Sequence, residues 1–97
     1  MRYTLRIRPA AEDDMQQAYT WYEDQRPGLG GDFLLCVEAV LDAIGENPLR
    51  FPTTHKRIKR ALVRRFPYAI FYIIDDESIS VLACFHCKRK PKKLFEG

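Results

Sequence analysis

Residues 57–86, RIKRALVRRFPYAIFYIIDDESISVLACFH, hold three runs rich in β-branched and aromatic residues, broken by two turn signals. The runs span about Arg57 to Arg65, Ala69 to Ile74 and Ile79 to His86, and each alternates or is continuously apolar, as strands do. Phe66-Pro67-Tyr68 separates the first two, and Asp75-Asp76-Glu77-Ser78 is a hairpin loop between the last two. A four-residue loop at 75–78 sets Ile74 opposite Ile79. Ile70, Tyr72, Ile74, Ile79, Val81, Ala83 and Phe85 then share one apolar face. Phe71, Ile73, Ser80, Leu82, Cys84 and His86 take the other. A two-residue connection at Phe66-Pro67 sets Arg65 opposite Tyr68. Ala61 and Val63 then join the apolar face, and Arg60, Leu62 and Arg64 join the face of His86. A slip of one residue would bury Arg60 and Arg64 unpaired, a costly outcome that favours this register. The expected result is an open face bearing Arg60, Arg64 and His86, with Lys88 and Arg89 at its edge. Two arginines four residues apart on a strand stand about 13 Å from each other, enough to engage two anionic groups.

Upstream, the pattern changes period. Arg2 to Arg8 alternates, with Tyr3, Leu5 and Ile7 on one parity, which predicts a half-buried strand ended by Pro9. Ala10 to Gln25 has no glycine or proline, and Ala11, Met15, Ala18 and Tyr22 make a helical stripe. Trp21 and Tyr22 are read as core residues. Glu12, Asp13 and Asp14 fall in the first turn, where carboxylates suit the helix dipole. Arg26-Pro27-Gly28 breaks this helix, and a second runs from about Leu29 to Ile44 on the stripe Leu29, Phe33, Val37, Val40 and Ile44. Gly45 is the expected stop before Asn47-Pro48, and 48–56 is expected to be a loop. The short connection predicts an antiparallel helical hairpin. The order strand, helix, helix, strand, strand, strand defines an α+β class, with the hairpin on one face of an antiparallel sheet. The partner of the first strand is not determined.

Composition bounds the rest. The chain has 97 residues, 46% of them apolar, enough for one domain (residues 1–97) with a core that needs no disulfide. No apolar run approaches the roughly 20 residues of a membrane span, and the N-terminal stretch does not read as a signal peptide, so no membrane partner and a cytoplasmic location are expected. Net charge is +3, but it is unevenly spread. Residues 1–49 hold four Lys/Arg and nine Asp/Glu, whereas residues 50–97 hold twelve and four. The basic half ends in a tail, 88–97, with five cations between Lys88 and Lys93. Such a half suits an anionic or acidic partner.

Few residues suit chemistry. His86, at a strand end among cations, is a candidate general acid/base near neutral pH. Cys84-Phe85-His86-Cys87 has two ligands on one face and one on the other, and no second ligand pair exists, so no metal is expected. The pairs Asp13/Asp14 and Asp75–Glu77 are read as helix-start and turn residues. There is no phosphate loop, no GxSxG elbow and no HExxH helix, and no cofactor is expected.

The ordered motifs Trp21-Tyr22-Glu23, RPGLG from Arg26 to Gly30, Phe33, Glu46–Pro48, Phe51-Pro52, RRFPYAIFY from Arg64 to Tyr72 and His86-x-x-Arg89-x-Pro91 resemble ParE-type toxins. These belong to the RelE/ParE superfamily of type II toxin–antitoxin modules, also called plasmid stabilisation proteins. The resemblance implies a compact β-α-α-β-β-β fold and a cognate antitoxin that wraps the toxin. It implies one of two activities, poisoning of DNA gyrase, as in ParE-like members, or metal-free cleavage of mRNA on the ribosome, as in RelE-like members. A third reading is a toxin-fold interaction protein with no poison activity. The WYE and FPY patterns favour the gyrase reading, with Arg60, Arg64, Arg65, Lys88 and Arg89 as partner-binding residues. On the ribonuclease reading His86 would transfer a proton, and Arg64, with Arg60 and Arg89, would stabilise phosphorane charge. Phe95 lacks the late tyrosine hydroxyl common in RelE-like ribonucleases.

Overall fold

The computed structural model describes residues 3–89. Most of the basic tail, 90–97, lies outside them, as do Arg2, Pro91 and Phe95. The elements are β1 (Thr4–Ile7), α1 (Pro9–Gln25), α2 (Leu29–Glu46), a 3-10 turn (Pro48–Arg50), β2 (Thr53–His55), β3 (Ile58–Leu62), β4 (Tyr68–Asp75) and β5 (Ser78–His86). They form a five-stranded sheet of order β1-β5-β4-β3-β2 with the helical hairpin on one face. The α+β order and the hairpin agree with the sequence. The sheet is mixed rather than wholly antiparallel, because β1 runs parallel to β5, pairing Leu5 with Ile79 and Ile7 with Val81. The expected loop at 48–56 holds the 3-10 turn and the short strand β2, which extends the sheet beyond β3.

The β4–β5 hairpin keeps the expected register near its loop, where Ile74 pairs with Ile79 and Tyr72 with Val81, but Asp75 and Ser78 pair as well, so the loop is Asp76-Glu77 rather than four residues. One step further, Phe71 pairs with Ala83 rather than Leu82. A β-bulge therefore inserts one residue into β5, and the parity of everything after it reverses. Cys84 lies in the helix-side core, whereas Ala83, and Phe85 beside it, belong to a second apolar cluster on the far face. The β3–β4 turn also departs from expectation. Leu62 pairs with Ala69, and Val63 N–H donates to Tyr68 O (2.9 Å), so the connection is 64–67 rather than two residues. Pro67 has no N–H to continue the ladder, which explains the earlier exit. The shift is even, so Ala61 and Val63 still face the helices as expected.

The core is an aromatic hub. Tyr22 of α1, Phe33 of α2, Phe66 of the turn before β4 and Tyr68 of β4 stack edge-on or tilted, with ring centroids 4.9–6.0 Å apart. Such pairs add about 0.5–1.5 kcal/mol each beyond simple burial. Tyr72 lies fully buried and its hydroxyl donates to Pro48 O (2.6 Å), tying the 3-10 turn to the sheet. Where the helices cross, Gly30 has no room for a side chain, because a Cβ there would lie 2.7 Å from Tyr19 O. Gly45 is not the stop expected. It is helical and buried, its carbonyl accepts Tyr3 N–H (3.0 Å), and α2 ends at Glu46, with Asn47 as its C-cap before Pro48.

The turn between the helices is held by one side chain. Glu23 accepts Gly28 N–H at Oε2 and Gly30 N–H at Oε1, both at 3.0 Å. It thus satisfies free donors at the start of α2 and places a negative charge at that helix's positive end. Replacing Glu23 with Ala should cost about 1 kcal/mol, and Gln, which keeps one acceptor oxygen, less than that. Urea denaturation of the three proteins would measure the order, and equal midpoints would show that the cap does not bear on stability.

Candidate functional site

The expected cationic face is not assembled. Arg60 pairs with Phe71 and projects from the open face as expected. His86 does not join it, because the bulge turns the end of β5 and sets His86 opposite Tyr68 on the helix side. Arg64 and Arg65 lie beyond β3 in the 64–67 turn, where Arg65 adopts a positive φ of 71° and rests its guanidinium over Phe66 (5.7 Å). Arg64 instead lines a groove beside α2. Lys88 and Arg89 follow β5 in a turn closed by Arg89 N–H donating to His86 O (2.9 Å). The six residues are thus divided among the open face, the 64–67 turn with its groove, and the end of β5.

Among the described residues, depressions lie on two sides of the molecule. The first is a cleft of about 230 Å³ between α1 and the end of β5, lined by Asp14, Gln17, Trp21, Tyr68, His86 and Arg89, with Cys84 at its base. An adjoining hollow of about 370 Å³ shares Trp21, Tyr68 and His86 and continues to Tyr22 and Pro67. Asp14 Oδ2 accepts Cys84 N–H (3.0 Å) and so binds α1 to β5. Burial raises the pKa of this carboxyl, while the Cys84 N–H and the Arg89 charge oppose the shift. Lys88 N–H donates to His86 Nδ1 (3.1 Å), which leaves Nε2 to hold the ring proton of the neutral imidazole. The His86 and Tyr68 rings meet edge-on at 5.3 Å. Arg89 places its guanidinium over the Phe85 ring, 4.2 Å from the centroid.

The second depression, about 420 Å³, runs between α2 and the end of β3. Ala39, Val40, Ala43, Phe51 and Leu62 give it an apolar floor, and Arg50 and Arg64 are its cations. Leu62 is 57% exposed, an apolar side chain beside two guanidiniums. Arg50 also sits over the Phe51 ring at 4.9 Å.

Asp14, Trp21 and Arg50 escaped the sequence reading. Asp14 is not a helix-start residue in effect, since Glu12 takes the first-turn position and Asp14 reaches β5. Trp21 is not core, being 57% exposed, whereas Tyr22 is buried as expected. The signal was present, because Asp14, Gln17 and Trp21 recur at three and four beside the apolar stripe of α1.

Among the described residues no group of three His, Cys, Asp or Glu is placed to hold a metal, and no helix is long and apolar enough to cross a membrane. Cys84 is 2% exposed, and burial, with Asp14 and Cys87 adding, pushes its thiol up to about 12. Iodoacetamide at pH 8 should therefore modify exposed Cys87 first and leave Cys84 untouched until the chain is denatured. Peptide mass mapping checks this, and early labelling of Cys84 would mean that the α1–β5 seam opens readily.

The chain matches the family model described as ParE toxin of type II toxin-antitoxin system, parDE, over residues 5–91. It is 32% identical over 92 residues to Toxin ParE2 of Mycobacterium tuberculosis (strain CDC 1551 / Oshkosh), covering 94% of this chain and 88% of that relative. Among solved structures it is similar to the chromosomal ParDE TA system from P. aeruginosa, with a TM-score of 0.78 and 12% identity over 88% of this chain and 96% of that one. It is also similar to the toxin–antitoxin complex RelBE2 from Mycobacterium tuberculosis, with a TM-score of 0.63 and 23% identity over 89% of this chain and 99% of that one. At these identities the two structures bear on the fold alone.

Proposed function

The chain belongs to the ParE toxin family of type II toxin–antitoxin systems, and on that premise we propose that it acts in the cytoplasm by inhibiting DNA gyrase and is held inactive by a cognate antitoxin. The observation that carries the choice of target is the division of the cationic residues. Cleavage through an RNA 2′-hydroxyl needs an acid/base and a cation converging on one phosphate. Here His86 and Arg64 line different depressions, and Arg89, the cation that does share the His86 cleft, holds its guanidinium over the Phe85 ring. His86 shares its cleft with the Asp14 carboxylate, which repels a phosphate. The arrangement favours a protein that works by binding over one that cuts RNA.

The groove beside α2 suits the antitoxin. An apolar floor with Arg50 and Arg64 beside it matches an amphipathic segment whose polar side is acidic. The charge of residues 50–97 favours the same partner. The open face with Arg60, and the cations Lys88 and Arg89, add to the attraction, Arg89 from the cleft between α1 and β5.

In a supercoiling assay with purified gyrase, the full chain should inhibit the enzyme, and translated message should stay uncut in its presence. Normal supercoiling at saturating protein rejects the gyrase reading, and codon-positioned cuts in the message would install the ribonuclease reading instead. Reversing both groove charges, Arg50→Glu with Arg64→Glu, should slow association with the antitoxin about tenfold or more at low salt, with a smaller change in dissociation. Surface plasmon resonance reads both rates. Unchanged association would place the antitoxin elsewhere.

A further inference from the structure

The cleft between α1 and β5 has chemistry that the toxin reading does not use. We propose that it receives an arginine side chain from a basic segment of a partner protein, with the guanidinium on the Asp14 carboxylate and its flat face against Trp21. Asp14 commits Oδ2 to Cys84 N–H. Among the described residues Oδ1 takes no hydrogen bond and no cation pairs with the carboxylate. Arg89, whose charge reaches Asp14, keeps its guanidinium on the Phe85 ring instead. A partly desolvated carboxylate with one free oxygen is an acceptor set for a charge-assisted donor.

The walls specify which donor. Trp21 is largely exposed, and it meets its own neighbour Tyr22 edge-on at 5.1 Å. Tyr68 and His86 face it across the cleft. A guanidinium is planar, weakly hydrated and able to stack while its edge bonds a carboxylate, which an ammonium does less well. The surrounding charge agrees. Helix α1 carries Glu12, Asp13, Asp14, Glu23 and Asp24 and no lysine or arginine. A basic segment is therefore drawn to the α1 side, while Arg89 lines the β5 side and sets the direction of approach. The carboxylate at the base counts against a nucleotide or any other phosphate. This assignment concerns a different surface from the antitoxin groove and holds whichever target the toxin has.

Trp21 is the only tryptophan of the chain, so its fluorescence reports on this cleft. The full chain should be titrated with N-acetyl-arginine amide, with the lysine and citrulline analogues, and with AMP. Arginine should give a saturable change in emission with a midpoint on the order of 1 mM, as expected for one side chain. Lysine should bind more weakly, and citrulline, which has the shape without the charge, should give no saturable change. In Asp14→Asn, which keeps an oxygen for Cys84 N–H, the arginine midpoint should rise about tenfold or more. No saturation by arginine, an equal response to citrulline, an unchanged midpoint in Asp14→Asn, or tighter binding of AMP would each overturn the assignment. If Asp14→Asn fails to fold, the citrulline comparison on the native chain still decides it.

Discussion

Between its pairings with Tyr72 and Phe71, strand β5 carries one residue more than β4, and most of what is distinctive about the molecule follows from that bulge. Without it, Cys84 and His86 would face away from the helices. With it, the Cys84 N–H reaches the Asp14 carboxylate, α1 is bound to the end of β5, and His86 lies against Tyr68 above the aromatic hub. The same reversal sends Ala83 and Phe85 to the far face, where they join Phe71 and Ala69 in a second apolar cluster and give the Arg89 guanidinium a ring to rest on. One local irregularity thus sets the composition of both faces at one end of the sheet.

The motifs that mark the family have structural duties here. Tyr22, Phe33, Phe66 and Tyr68 build the hub. Glu23 caps α2, and the Pro67 carbonyl accepts Cys87 N–H at 2.7 Å, fixing the end of β5 against the turn before β4. This is why a likeness in these motifs reports the fold more directly than the target. The surfaces suited to partners combine motif residues such as Trp21, Arg64 and His86 with residues between the motifs, among them Asp14, Arg50 and Leu62.

Much of the architecture was legible in the chain. The two helices, the β4–β5 loop and the helix-facing parity of Ala61 and Val63 follow from periodicity and turn residues, and an even shift in the β3–β4 turn left that parity intact. The bulge was not legible, because Leu82-Ala83-Cys84 is apolar throughout and offers no alternation to betray a change of face. Nor was the pairing of β1, whose alternation fits any sheet edge. Trp21 and Tyr22 show the same limit at the site. Adjacent aromatics on a helix point about 100° apart, and composition alone does not say which one turns inward.

The crossing of the two helices has a consequence for how such a chain can diversify. Gly30 and Gly31 are neighbours in the opening turn of α2, yet a methyl group added at Gly31 meets open space while one at Gly30 meets the backbone and ring of Tyr19. Drift in sequence is therefore cheap at one glycine and barred at the other. Any descendant that fills the barred position must move α1 away from α2 and disturb Tyr22, with the hub it anchors.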